Sequence, residues 1–181
     1  MTMQRRLSSL DRLISTLDTA MREVSHGTNT MAGERPSPAA EHTEAELTEA
    51  ERKHAGGLMR INHTGEVCAQ ALYRGQALVA KTEETRTALL EAAQEEKGHL
   101  DWCEERIDEL GTHTSRLNPF FFAGSYALGA LTGAIGDKVS LGFVHATEEG
   151  VAMHLKEHLL KLPAGDRKSP LVLRHMLAEE E

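Results

Sequence analysis

Residues Leu89–Ile107 read LLEAAQEEKGHLDWCEERI. Leu89, Ala92, Ala93, Glu96, His99, Cys103 and Ile107 recur at three- and four-residue steps, the spacing of one helix face. An apolar face of this kind turns to a core. Glu96 and His99 thus stand on a stripe that should be buried, where an unpaired carboxylate is costly. Side chains three apart share a face and can hold one cation between them. The Glu-x-x-His pattern is weak alone: it recurs at Glu23/His26 and Glu51/His54. With 22 Glu and 10 His in the chain, roughly one copy is expected by chance. Glu23/His26 runs into a polar segment and Glu51/His54 opens a polar stretch, so both read as surface.

Other acids share apolar stripes. Glu148 has Leu141, Val144, Val151, Ala152 and Leu155 on its face, and Glu180 follows Leu173, Met176 and Leu177. Glu66 lies among small residues in Asn62-His63-Thr64-Gly65-Glu66-Val67-Cys68-Ala69. Taken singly, each reads better as an acid paired with Arg or Lys, or as one at the stripe's edge. Their spacing repeats, however. Glu66 precedes Glu96 by 30 residues, and Glu148 precedes Glu180 by 32. A lone Glu on one helix, then Glu-x-x-His on the next, used twice, is the ligand scheme of ferritin-like di-iron bundles. Four carboxylates against two Fe(II) ions make a neutral set, which makes burial tolerable. The second His would fall two residues past Glu181, so this reading expects the natural chain to continue with one residue and then His.

The rest of the chain agrees with helices packed on helices. It has 181 residues, 40% apolar and 4% aromatic, with five prolines. Residues 4–24 read as an amphipathic helix and His26–His42 as a Gly-, Thr- and Pro-containing linker, so 1–43 stands apart from a domain over 44–181. Helices are expected at about 44–81, 83–110 (ending at Gly111), 137–162 (capped by Asp137) and from Ser169-Pro170 to the end. Asn118-Pro119 reads as a side-chain cap with Pro in the first turn. Residues 117–136 carry no charge. Three readings stay open for them: a buried hairpin helix, a membrane-surface element or a span. Phe120, Phe121, Phe122 and Tyr126 at one end suit an interfacial anchor. The net charge of −8 leaves no basic stripe for phosphates, which argues against nucleic acid. Cys68 and Cys103 form no metal or redox motif and read as small buried residues in a reducing cytoplasm. Asp11 and Arg12 interrupt any secretory apolar stretch.

Leu58-Met59-Arg60-Ile61-Asn62-His63-Thr64-Gly65-Glu66 and Tyr73-Arg74-Gly75-Gln76 resemble the first motif of the demethoxyubiquinone hydroxylase family. Glu95-Glu96-Lys97-Gly98-His99 resembles its second motif, and Thr147-Glu148-Glu149 through His154 its third. Leu117-Asn118-Pro119 and the Gly-rich stretch after it resemble its membrane-associated hairpin.

The resemblance implies an all-α, ferritin-like four-helix bundle with an added Gly-rich membrane-associated hairpin. It implies two iron ions held by Glu66, Glu96, His99, Glu148 and Glu180, with Glu96 and Glu180 bridging and O2 as cosubstrate. His154 is expected near the metal, and Tyr73, on the face of Glu66, either lines the site or packs the core. Glu149 is the rival of Glu148; His63 and His145 read as structural. The implied substrate is a polyprenyl quinone or quinol, met at the cytoplasmic face of the membrane. The electron donor is left open, as is assembly into a homo-oligomer or a ubiquinone-biosynthesis complex. The competing expectation is a ferritin-like iron-storage protein with no organic substrate, and behind it a lipid-binding accessory protein.

Overall fold

A computed structural model describes residues 35–44 and 46–180. The expected helix over 4–24 and the Glu23/His26 pair lie outside them. Five helices follow in order: α1 Glu49–Val79, α2 Glu83–Glu109, α3 Asn118–Ile135, α4 Asp137–Lys161 and α5 Ser169–Glu180. No strand occurs among the described residues. The architecture is an all-α bundle of the ferritin-like type, with α1 at its centre, packed along α2 on one side and α3 on the other.

Local chemistry sets most helix ends. Thr48 and Glu51 form a reciprocal capping box at the start of α1. That gives Glu51 of the second Glu-x-x-His copy a job at the surface. Gly111 ends α2 at φ 68°, with Gly111 N–H donating to Asp108 and Thr112 N–H to Ile107. These two bonds make a Schellman motif, in which Gly takes the left-handed position without a Cβ clash.

Two expected caps are used otherwise. Asn118 is not the cap of α3, since the helix enters through Leu117 with no side-chain cap. The Asn118 amide instead reaches α1, donating to His63 and accepting from Thr64. Asp137 does not cap α4 either; it accepts from Lys81 N–H and Thr82 and so closes the α1–α2 corner. In both cases a long-range partner competes for an acceptor or donor that a local cap would use.

The glycines of α3 have a packing reason. A Cβ on Gly129 would stand 2.1 Å from the Leu72 carbonyl, and one on Gly75 2.1 Å from the Tyr126 carbonyl. The α1 and α3 backbones therefore touch along a small-residue seam. Phe122 and Tyr126 enter the core with Val67 and Ala71. The opposite face exposes Phe120 (76%), Leu131 (68%) and Ile135 (67%). Residues 118–135 are thus packed on one face and apolar to the outside on the other. Among the described residues no helix is long and apolar enough to cross a membrane.

The core forms separate apolar layers. Met59, Trp102, Cys103, Ile107, Leu155, Val172, Leu173 and Met176 make one. Ala69, Leu72, Tyr73 and Ala93 make another. Along α1, Glu66 falls between Met59 and Ala69; along α2, Glu96 and His99 fall between Ala93 and Trp102. The polar site is thereby sandwiched within the bundle. Cys103 is fully buried as expected, whereas Cys68 is only half-buried. The second half of the expected linker is also packed: residues 38–41 turn, and Ala39 joins the first layer.

A buried ionic cluster fixes α5. Arg106 on α2 donates to Ser169 Oγ (2.8 Å), Glu109 (2.9 Å) and Asp166 (3.0 Å), and pairs with Glu44. Asp166 also accepts from Ser169 N–H at 2.9 Å and so caps α5. The start of α5 is pinned to the end of α2. From there the rise of about 1.5 Å per residue carries Glu180 back to the level of His99.

Candidate metal centre

Glu66, Glu96, His99 and Glu180 converge, each offering a ligand atom within 4.8 Å of the others'. They come from α1, α2, α2 and α5. His99 Nδ1 lies 3.2 Å from Glu96 Oε2, 3.4 Å from Glu180 Oε1 and 3.9 Å from Glu66 Oε2. Glu66 is 1% exposed and His99 3%. Four of the five expected ligands are therefore brought together. Glu148 lines the same 370 Å³ cavity as Glu96, His99 and Glu180, but it is not in the tight group. Glu149 faces away, near the exposed His145.

The electrostatics call for positive charge. Burial and the neighbouring Glu66 push the Glu96 carboxyl up to about 8. Burial alone would lower the His99 pKa, but the surrounding carboxyl groups of Glu180, Glu66 and Glu96 outweigh it and push it up to about 12. Glu180 and Glu148 are also raised, chiefly by burial and then by Glu96. On its own the chain meets this crowd of acids with protons. Binding a cation would release them. Glu66 Oε2 is buried without any hydrogen-bond partner, a state that costs heavily unless an ion or donor meets it. First-row ions sit about 2 Å from nitrogen and oxygen ligands, so this carboxylate-rich set fits metal ions with small side-chain movements.

His99 Nε2 donates to Glu179 Oε2 at 2.9 Å. Glu179 in turn pairs with Arg35, whose guanidinium lies 4.6 Å from the Trp102 ring centroid and whose carbonyl accepts from Trp102 Nε1. A carboxylate behind a ligating histidine fixes ring orientation and leaves the other nitrogen for the metal. Arg35 and Glu179 were not among the sequence candidates. Glu179 was legible as the acid beside Glu180; Arg35 was not, because nothing in the linker says where it folds back.

Tyr73 is on the same side as the acids. Its hydroxyl is buried with no hydrogen-bond partner. Burial, then Glu96, Glu148, Glu180 and Glu66, push its pKa up, so it stays protonated. It both packs the core and borders the site. His154 is exposed, yet it lines a second cavity with Glu66, between α1 and α4. Its ring stands 4.0 Å from that of His158. His63 is buried, accepts from Asn118 and has its pKa lowered to about 4 by burial, a structural role as expected.

Comparison with known proteins gives the family. Residues 53–181 match the family described as ubiquinone biosynthesis protein COQ7. The chain is 53% identical over 181 residues to a 3-demethoxyubiquinol 3-hydroxylase of Pseudomonas syringae pv. syringae, covering all of this chain and 83% of that protein. It is 53% identical over 180 residues to the protein of the same name from Stutzerimonas stutzeri (99% and 83%). A third of that name, from Chromohalobacter salexigens, is 53% identical over 178 residues (98% and 83%).

Proposed function

The chain belongs to the ubiquinone biosynthesis protein COQ7 family, and from that premise we infer that it hydroxylates the ring of a polyprenylated demethoxyubiquinol. The observation that carries this reading is the buried group of Glu66, Glu96, His99 and Glu180, in a chain whose relatives bear the hydroxylase name over their shared length.

Glu66, Glu96, His99 and Glu180, with Glu148 from the shared cavity, would hold two iron ions. Bound iron supplies the means to activate O2 for insertion of one oxygen atom into an aromatic ring. The reaction consumes two electrons and two protons as the other oxygen atom becomes water. The chain's own part is positional and protective. Apolar layers on either side of the acids exclude water. Glu179 holds His99 by its outer nitrogen. Tyr73 keeps its proton at Oη and offers it as a donor at the edge of the site. His154 reaches both solvent and the cavity beside Glu66, so its ring nitrogens can pass a proton between them.

The outer face of α3 is the membrane-docking element in this reading. Phe120, Phe121, Leu131 and Ile135 present an apolar strip to the outside, and the protein would sit peripherally on the cytoplasmic face. A storage protein has no use for such a strip. Replacing Phe120 and Phe121 with Ser should cut partitioning onto vesicles by about tenfold or more, since each buried Phe contributes about 1.5–3 kcal/mol. Sedimentation with vesicles measures this. Turnover of a long-chain quinol should fall in parallel, while turnover of a water-soluble analogue is kept; equal losses on both would make the strip core rather than anchor. The function itself is tested in a host lacking its own hydroxylase. Expression of this chain should convert accumulated demethoxyubiquinone to ubiquinone, and persistence of the precursor with soluble, iron-loaded protein present would refute it.

A further inference from the structure

Asn62 stands one turn before Glu66 on the buried face of α1, with 3% of its surface exposed. Its Oδ1 accepts from His158 Nδ1 on α4 at 2.7 Å. His158 is itself buried, and burial, then His154, push its pKa down to about 4. It is therefore a neutral imidazole, and the tautomer that pairs with Asn62 Oδ1 carries its proton on Nδ1. With Oδ1 taken, the Nδ2 donor has no partner in the protein. An unmet buried donor is costly.

The space beside it is a 270 Å³ cavity between α1 and α4, where Asn62 and Glu66 face Gly150, Val151, His154 and Leu155. Apolar walls with a few convergent polar groups suit a flat, mostly apolar ligand that carries an acceptor oxygen. The volume lies just below the range of roughly 300–1,000 Å³ typical of sites for drug-sized ligands. It matches one substituted ring and leaves a prenyl tail to run outward. The wall shared with Glu66 places such a ring against the metal centre.

We propose that this cavity seats the aromatic head of the substrate, with Asn62 Nδ2 donating a hydrogen bond to one ring oxygen and His158 holding the amide in that orientation. The inference rests on the ring-hydroxylase reading and adds to it the group that recognises the ring. Asn62 and His158 lie on different helices, so the contact also sets the width of the cavity.

The test uses iron-loaded protein under anaerobic conditions and calorimetric titration. The ligands are a short-tailed methoxy-methyl-benzoquinol and its two congeners, each lacking one ring oxygen. The variants are Asn62→Leu and Asn62→Asp, the latter close to isosteric and able to keep the His158 bond. Asn62→Leu should weaken the parent quinol about tenfold and leave one congener's affinity unchanged. Asn62→Asp should weaken binding of the corresponding benzoquinone, whose ring carbonyls only accept, at least as much, because it presents an acceptor to an acceptor. If Asn62→Leu does not fold, the comparison is read from Asn62→Asp with that benzoquinone. Equal losses on all three ligands, or no loss on the parent, would overturn the assignment while the hydroxylase reading stands. Failure of the unmodified protein to bind any of the three would overturn the reading itself.

Discussion

Replacing Glu96 with Ala should reduce ring hydroxylation to background and leave the helical fold intact. Glu96 sits on α2 between two apolar layers, 3.2 Å from His99 Nδ1 and beside Glu66. Without a cation burial and Glu66 hold it as a neutral acid, so its removal relieves a buried carboxyl, which offsets the lost 3.2 Å hydrogen bond to His99 Nδ1. The metal-free protein should therefore melt no lower than the parent. Its iron affinity should fall steeply: loss of an outer-shell partner alone typically costs about 10–100-fold, and this is a direct ligand. Glu148→Ala should behave alike if Glu148 closes on the site when metal is present. Glu51→Ala is the control, since Glu51 serves the cap of α1 with Thr48 and should leave hydroxylation unchanged. Circular dichroism, iron titration and product analysis on the three variants decide the matter. Normal turnover in a folded Glu96→Ala protein would refute the metal centre.

Arg106→Ala should be the most destabilising change outside the site, by about 3–5 kcal/mol. Arg106 is 2% exposed and the Asp166 side chain 0%. Truncating the arginine strands a buried carboxylate, removes a donor from Ser169 and loosens Glu109 and Glu44. Exposed ion pairs carry only about 0–1 kcal/mol, so urea denaturation separates the two cases. A loss below about 1 kcal/mol would mean that the cluster is solvated. Adding Asp166→Asn, which removes the stranded charge and keeps an acceptor for Ser169 N–H, should recover part of the loss. Because the cluster sets where α5 begins, Arg106→Ala should also weaken iron binding through Glu180, at the far end of the same helix.

Much of the site was legible because metal sites break a local rule. Glu66, Glu96, His99 and Glu180 showed as charged residues on apolar stripes. Arg106 broke the same rule, three residues after Cys103 on the same face, and could have been noticed by the same reasoning. Its partners Asp166, Ser169 and Glu44 could not, since they are 60, 63 and 62 residues away and no spacing encodes such a distance. Asn118 and Asp137 misled for a related reason. Each has the chemistry of a cap, and a cap is the best local use of that chemistry. Packing offered both a better partner across the bundle.

By itself the sequence determined the helices, their buried faces and the acids that had to share a charge. These depend on periodicity and residue chemistry within a few turns, and hydrophobic burial acts on them wherever the helices meet. Tertiary structure alone decided which acids meet at one point. It set how closely α1 and α3 approach through Gly75 and Gly129, and which donor Asn62 has left over once His158 is bound. Those outcomes turn on ångström-scale placement of residues far apart in the chain, fixed only when every helix has found its neighbours and every buried polar atom has competed for a partner.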